Sequence, residues 1–176
     1  VSLRPPPEPR VVSRFEHFLA DNQAFNTALG RNVIAISPDG RHIAYTAGNR
    51  LQVRPVAELE ARPLNRSRIG NASLFFSPDG ESVGFWDSGT GELKRVAVRG
   101  GAPTVICRVA VPSGVSWSRD DTLLFGAPEG IMRVSANGGT SELLIPAQLG
   151  AEGLWGPQLL PDGESVLFTL RSGAAA

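Results

Sequence analysis

The chain has 176 residues, and its 17 basic residues balance its 17 acidic ones, so its formal net charge at pH 7 is zero. This balance excludes a strongly basic nucleic-acid binder and a polybasic membrane-surface protein. Hydrophobic residues make up 41% of the chain, which suffices for a packed core, and 20 Gly with 14 Pro favour many short strands over long helices.

The rarity of cysteine and histidine excludes two kinds of site. One cysteine, Cys107, allows neither an internal disulfide nor a cysteine-rich zinc site, and two histidines are too few for most His-ligated metal sites. We therefore predict no metal and no cofactor, with Cys107 as a small buried apolar residue. No run approaches the ~18 apolar residues of a membrane span, and no signal-peptide pattern opens the chain.

The first 31 residues precede any repeated pattern. A Pro-rich stretch at residues 5–9 is typical of an extended spacer. The apolar spacing of residues 12–18 fits a helix or a strand, and the local pattern does not decide between them. We interpret residues 1–31 as a Pro-rich linker and N-terminal segment.

One four-residue turn motif then occurs four times, with first residues spaced 40, 41 and 42 apart. The copies are Ser37-Pro38-Asp39-Gly40, Ser77-Pro78-Asp79-Gly80, Ser118-Arg119-Asp120-Asp121 and Leu160-Pro161-Asp162-Gly163. A period of about 40–45 residues is typical of β-propeller blades, each a four-stranded antiparallel sheet.

The residue types of the motif are those of a hairpin turn. Proline presets φ at the second position, aspartate suits the third, and glycine accepts the positive φ that follows. In the third copy Asp121 replaces the glycine, and we expect it to adopt a positive φ with some strain. The recurring aspartates also suggest an acid–base or metal role, but each can accept a local backbone N–H, which favours a structural one.

Apolar strands flank every turn and define the predicted domains. We predict an all-β chain: a β-propeller fragment of about three and a half four-stranded blades. Blade 1 spans residues 32–71, blade 2 spans 72–112, blade 3 spans 113–152, and a partial blade 4 spans 153–176. The remaining blades of a larger closed propeller would then lie outside this chain, or a second copy would complete it. We expect four apolar residues at the two ends to be uncovered: Ile34, Ile36, Val166 and Phe168.

The third and fourth strands carry a more specific pattern. It consists of Leu51-Gln-Val-Arg-Pro-Val56, Leu59-Glu-Ala-Arg-Pro-Leu64, Leu93-Lys-Arg-Val96, Gly100-Gly-Ala-Pro103, Ile131-Met-Arg-Val134 and Gly138-Gly139. With the repeated turns, this pattern resembles TolB-like, WD-repeat-like bacterial propellers. It most resembles the C-terminal propeller of bacterial transmembrane serine/threonine protein kinases. The resemblance covers nearly the whole chain from about Val12.

That resemblance implies a sensing or protein-interaction module outside the cytoplasm. In the kinase family a cytoplasmic kinase, one membrane helix and a Pro-rich segment precede the propeller. The chain has no Gly-rich phosphate loop, His-Arg-Asp or Asp-Phe-Gly motif, so kinase activity would belong to the parent protein. The resemblance places the chain in the periplasm, attached to the inner membrane only through a helix outside it. Two alternatives are the propeller that gates a prolyl-oligopeptidase-type serine peptidase and a TolB-like periplasmic scaffold.

Candidate binding residues lie in the loops that join successive blades, at residues 65–71, 108–112 and 146–152. Arg66, Arg68 and Arg108 would share one face and meet an acidic peptide, a carboxylate or a sugar acid. They can also be solvated loop arginines. Trp155, in a Gly-rich stretch, is a candidate recognition residue because tryptophan is common at binding surfaces. We expect a protein, peptide or small extracytoplasmic ligand as partner, and no nucleic acid.

Overall fold

A computed structural model describes residues 19, 24, 25, 32–64, 69, 73–147 and 151–172. Fourteen β-strands make up the regular structure of these ranges, which contain no helix. The prediction of an all-β chain is therefore confirmed. Of the described residues, none belongs to a helix long and apolar enough to cross a membrane.

The strands form three four-stranded sheets and one hairpin. The first sheet contains β1 (Ile34–Ile36), β2 (His42–Ala47), β3 (Arg50–Pro55) and β4 (Arg62–Pro63). The second contains β5 (Leu74–Phe76), β6 (Ser82–Asp87), β7 (Glu92–Ala97) and β8 (Thr104–Arg108). The third contains β9 (Val115–Trp117), β10 (Thr122–Ala127), β11 (Gly130–Ser135) and β12 (Glu142–Pro146). The fourth pairs β13 (Ala151–Leu159) with β14 (Val166–Ser172).

All pairings join consecutive strands antiparallel, so each sheet is a meander. In each four-stranded sheet the second and third strands are longer than the apolar runs in the sequence predict, because some of the hairpin turns that join them are very short. Gly48 and Asn49 alone join β2 to β3, with φ of 57° and 60°. Two residues with positive φ match the right-handed twist of the strands that they join.

The sheets pack face to face, and alternation along each strand separates two cores. Leu74 and Phe76 of β5 pack with Phe85 toward the first sheet. Phe75, between them in sequence, packs with Phe125 toward the third sheet. The side chains of Phe85 and Phe125 are fully buried. Truncation of such a side chain to alanine typically costs about 3–5 kcal/mol.

The outer face of the first sheet is partly covered by residues that precede it. Phe25 forms a backbone bridge with Ala47, and its ring lies edge-on to Tyr45 at a centroid distance of 5.8 Å. Leu19 packs against the same cluster. Ile34 and Ile36 nevertheless stay 47% and 60% exposed. The expectation that Ile34 and Ile36 are uncovered is therefore confirmed, whereas Tyr45 and Ala47 of the neighbouring strand β2 are buried.

The exposed residues of β14 differ from those expected. Val166 and Phe168 are half-buried, whereas Leu167 and Leu170 are 59% and 53% exposed. Alternate residues of a strand face opposite sides. Leu167 and Leu170 are three residues apart and therefore lie on opposite faces of β14, so each face leaves one leucine exposed. The prediction was wrong in naming Val166 and Phe168 as the uncovered residues of this strand.

Glycine-containing turns connect the second sheet to the first and the third sheet to the second. The Nη2 atom of Arg62 in β4 donates to the carbonyl of Val98, just before the β7–β8 turn, at 2.7 Å. The N–H of Gly139, between β11 and β12, donates to the carbonyl of Ile106 in β8 at 3.3 Å. The turn between the third and fourth strands of one sheet thus contacts the fourth strand of the preceding sheet.

Candidate functional site

The repeated turns are built by hydrogen bonds within each motif. In the first copy the N–H of Gly40 donates to the carbonyl of Ser37 at 2.8 Å, and the Ser37 hydroxyl donates to Asp39 Oδ1 at 2.6 Å. The backbone N–H of Arg41 donates to the same carboxylate oxygen. These bonds hold the pKa of Asp39 below its usual value, with the serine hydroxyl as the main cause.

The second turn repeats this arrangement, and the fourth, with Leu160 in place of the serine, repeats its backbone hydrogen bonds. Ser77 Oγ donates to Asp79 Oδ1 at 2.5 Å and is the main cause of a lowered pKa for Asp79. In the fourth turn Asp162 Oδ1 accepts the N–H groups of Ser165 and Glu164, and these bonds, above all the one from Ser165, lower the pKa of Asp162. Each aspartate therefore serves its own turn, in agreement with the structural interpretation of the motif.

The third turn departs from the pattern. It is one residue shorter, because the Ser118 N–H donates to the carbonyl of Thr122, four residues on, where Ser37 reaches His42, five residues on. Asp121 has a φ of 59°, which confirms the positive value predicted for it. Its carboxylate accepts the indole N–H of Trp117 at 3.2 Å. Arg119 replaces proline and is exposed.

Substitutions in the second and third turns will have unequal effects. Gly80 has a φ of 74°, and a Cβ there would meet Ser37 Cβ at an ordinary 3.7 Å. Gly80→Val should therefore destabilise the protein by about 1–3 kcal/mol through backbone strain alone. Asp121→Gly relieves strain but loses the indole hydrogen bond, so we expect a net gain below about 1 kcal/mol. Urea unfolding measures both, and equal small changes would contradict this account of the turns.

All four turns line one cavity at the inner edges of the sheets. Its volume is about 540 Å³. Pro38, Pro78 and Pro161 come from the first, second and fourth turns, Leu160 precedes the last proline, and Trp117 and Arg119 come from the third turn. Trp117 is half-buried, and its ring lies edge-on to Phe75 at 6.3 Å. The cavity thus presents proline, leucine and tryptophan surface beside one arginine, one aspartate and three uncharged polar side chains.

Of the four predicted binding residues, the structure describes two, Arg108 and Trp155. Arg66 and Arg68 lie outside the described residues. Arg108 ends β8, its side chain is 87% exposed, and its Nε is 3.7 Å from Glu92 Oε1 on the neighbouring strand. Trp155 is half-buried in β13, paired with Thr169. No hydrogen bond, ion pair or ring contact among the described residues joins Trp155 to Arg108.

An ionic network in the second sheet escaped the sequence analysis. Lys94 Nζ lies 3.0 Å from Asp87 Oδ2, 3.1 Å from Glu92 Oε2 and 2.9 Å from Thr90 Oγ1. Burial alone would lower the pKa of Lys94, but the two carboxylates raise it overall. Hydrogen bonds from Lys94 and Thr90 lower the pKa of Glu92. The network is largely buried and stabilises the β6–β7 hairpin.

Removal of the lysine should give a pH-dependent loss of stability. Lys94→Met leaves two ionised carboxylates near each other, so we expect a loss of about 2 kcal/mol at pH 7. The native contribution of Glu92 is present above the usual carboxyl pKa of about 4.3 and is lost as the pH falls through its lowered value. In the variant, protonation near pH 4 relieves repulsion, so the difference between the two proteins should shrink.

Urea unfolding at pH 7 and pH 4 measures this difference. Arg133→Met is the matched control, because Arg133 pairs with Glu142 at 3.0 Å while both side chains stay more than half exposed. An exposed pair contributes about 0–1 kcal/mol. A deficit for Lys94→Met that is equal at both pH values would contradict the electrostatic explanation.

The remaining reactive residue types are engaged or buried. Cys107 is buried, and burial raises the pKa of its thiol to about 11, so it is an unreactive apolar residue as predicted. Ser37 and Ser77 are buried and hydrogen-bonded within their turns. Across the described ranges, no three His, Cys, Asp or Glu side chains are grouped as a metal site requires.

Comparison with solved structures identifies the fold. A protein assigned as TolB in Agrobacterium tumefaciens superposes with a TM-score of 0.66 at 19% identity, over 86% of this chain and 59% of that one. TolB from Acinetobacter baumannii gives 0.63 at 19% identity, over 82% of this chain and 39% of that one. The fold is a β-propeller. A nidogen/laminin complex gives 0.63 at 13% identity, over 78% and 55% of the two chains.

These similarities concern architecture alone. The propeller chain spans between 39% and 59% of the length of these solved structures. No protein-family model matches it, and no curated protein matches it in sequence. The predicted resemblance to TolB-like propellers is confirmed at the level of the fold.

Proposed function

We propose that this propeller is a non-catalytic module that binds a protein or peptide at the cavity between its four turns. The observation that carries the proposal is the convergence of four turns, one from each sheet, on a single cavity with an apolar lining. Apolar cavities with a half-buried tryptophan are typical of binding sites. A propeller is suited to this because the inner ends of all its blades meet around one axis.

We further propose that the module is the extracytoplasmic sensor of a membrane-anchored bacterial serine/threonine kinase. The support is the resemblance of the β3–β4, β7–β8 and β11–β12 segments to the propellers of those kinases. A second candidate is an envelope scaffold of the TolB kind, which the similarity of fold to two TolB structures favours. Residues 1–31 and 153–176 remain, in this proposal, a linker with N-terminal segment and a partial blade.

Selection of binders from an unbiased peptide library tests the binding function. Peptides that bind the full chain should lose affinity when Leu160, which is 38% exposed at the cavity, is changed to glutamine. Leu143→Gln is the matched control, because Leu143 is 51% exposed on β12 and does not line this cavity. Binders that are insensitive to both changes would overturn the assignment of the site.

The gene sequence upstream of the codon for Val1 separates the two biological roles. The kinase proposal expects His-Arg-Asp and Asp-Phe-Gly motifs followed by one membrane helix. The scaffold proposal expects a signal peptide and no kinase. Either finding decides between them without affecting the test of binding at the cavity.

A further inference from the structure

The turns around the central cavity are acidic, although the chain as a whole is neutral. Segments 37–42, 77–82, 118–122 and 160–165 contain seven carboxylates and two arginines. All seven acidic residues are exposed: Asp39, Asp79, Glu81, Asp120, Asp121, Asp162 and Glu164. The Nε of Arg41 is already 3.8 Å from Asp39 Oδ2. We call these seven residues the acidic rim: Asp120 lines the cavity itself, and the other six lie on the turns that contribute its lining.

The charge of the rim is little compensated by its own hydrogen bonds. The donors to Asp39, Asp79 and Asp162 are serine hydroxyls and backbone N–H groups, which carry no net charge. Such donors hold a carboxylate ionised without cancelling its field. The rim therefore presents excess negative charge to any molecule that approaches the cavity.

Inside the rim the lining is mostly apolar. Pro38, Pro78, Pro161 and Leu160 supply aliphatic surface, and Trp117 supplies an aromatic ring. Ser116 also lines the cavity, and its hydroxyl oxygen is buried with no hydrogen-bond partner among the described residues. A buried hydroxyl without a partner costs free energy that a ligand's polar group would recover.

We infer that the cavity binds a segment of a partner protein in which an apolar side chain is flanked by lysine or arginine residues. The apolar side chain enters the cavity, and the cationic side chains meet the acidic rim. The exposed Arg119 would donate hydrogen bonds to backbone carbonyls of the segment. This inference rests on the proposed binding function and adds the chemistry of the partner. Nucleic acids and acidic peptides are disfavoured by the same field.

The test is the charge of the peptides that bind. A random twelve-residue display library is selected on the full chain, and enriched peptides are synthesised and titrated by fluorescence anisotropy. We expect enriched peptides with net positive charge and at least one large apolar residue. Glu81→Lys with Glu164→Lys should weaken their binding roughly tenfold, with less dependence on salt. Glu129→Lys, in the exposed turn between β10 and β11, is the matched control and should change little.

The outcomes separate this inference from the function on which it rests. If the enriched peptides are cationic and both the rim variant and Leu160→Gln weaken their binding, the result supports the inference and the proposed binding function. If the enriched peptides are neutral or acidic and Leu160→Gln weakens their binding, the inference of a cationic partner is wrong but the proposed binding function stands. An absence of enriched peptides, or peptides that ignore Leu160→Gln, would overturn both. If Leu160→Gln instead abolishes self-association of the chain, the occupant is a second copy and the inference is wrong.

Discussion

Gly126→Ala is expected to destabilise the protein by about 3 kcal/mol, because the new methyl group has no space between the third and fourth sheets. A Cβ at this position would lie 2.1 Å from the backbone oxygen of Leu154 in β13. It would also lie 2.9 Å from both Cβ and the carbonyl oxygen of Ser113. Two of these three atoms belong to the backbone, so rotation of a side chain cannot relieve the clash. Forced overpacking of this kind typically costs 1–3 kcal/mol and occasionally more.

Gly89→Ala is the matched control for this prediction. The nearest atom to its Cβ would be Asp87 Oδ1 at 3.3 Å, the end of a side chain. Neither glycine has a positive φ, so the comparison isolates steric conflict from backbone strain. Urea unfolding of both variants measures it. A similar small effect of both changes would mean that β13 does not pack closely on β10.

The second large effect concerns self-association of the 176-residue polypeptide. In the described part of the chain, β14 pairs only with β13, so no described strand pairs with its other edge. Leu167 and Leu170 are more than half exposed on the same strand. A long apolar edge strand recruits further strands. We therefore expect light scattering to give a mass above the monomer's 18.6 kDa, rising with concentration.

Lysine on the edge strand should reverse this association. Leu167→Lys with Leu170→Lys places two charges where a second strand would dock, and edge lysines are a common protection against such pairing. Leu59→Lys is the control, because Leu59 is 94% exposed in the turn between β3 and β4 and belongs to no sheet. A monomer at all concentrations from the unsubstituted chain would show that its exposed edge does not drive association.

The sequence predicted the architecture well because the fold is a local repeat. The repeated turn motif specifies its hairpin within a few residues, so its four copies, two of them Ser-Pro-Asp-Gly, predicted the positions of the four sheets. The positive φ of Asp121 followed from its alignment with glycine. By contrast, Phe25 contacts Tyr45 across twenty residues of chain, and no local pattern of the N-terminal segment indicated that contact.

The candidate site was harder to predict for a geometric reason. The sequence analysis placed binding in the loops that join successive blades and treated the repeated turns as structural. It did not anticipate that these turns surround one cavity, since that depends on how the sheets pack. A signal was present in the third copy, where Arg119 and Asp121 depart from the repeat beside Trp117. The Lys94 network likewise depends on the exact register of β6 and β7, which pairs Asp87 with Glu92.

The glycine turns that rest on the preceding sheet make the protein a chain of nearest neighbours. Each sheet contacts the sheets beside it, so we expect local unfolding to begin at the sheets at the two ends of the array. The second sheet, with a core on each side, would then hold its amide protons longest against exchange with solvent. The β13–β14 hairpin would exchange first, although it contributes Leu160 and Pro161 to the cavity. A ligand that contacts both the third and fourth turns would slow the exchange of amide protons in this hairpin. Binding at the cavity would therefore be measurable as protection of β13 and β14 from exchange.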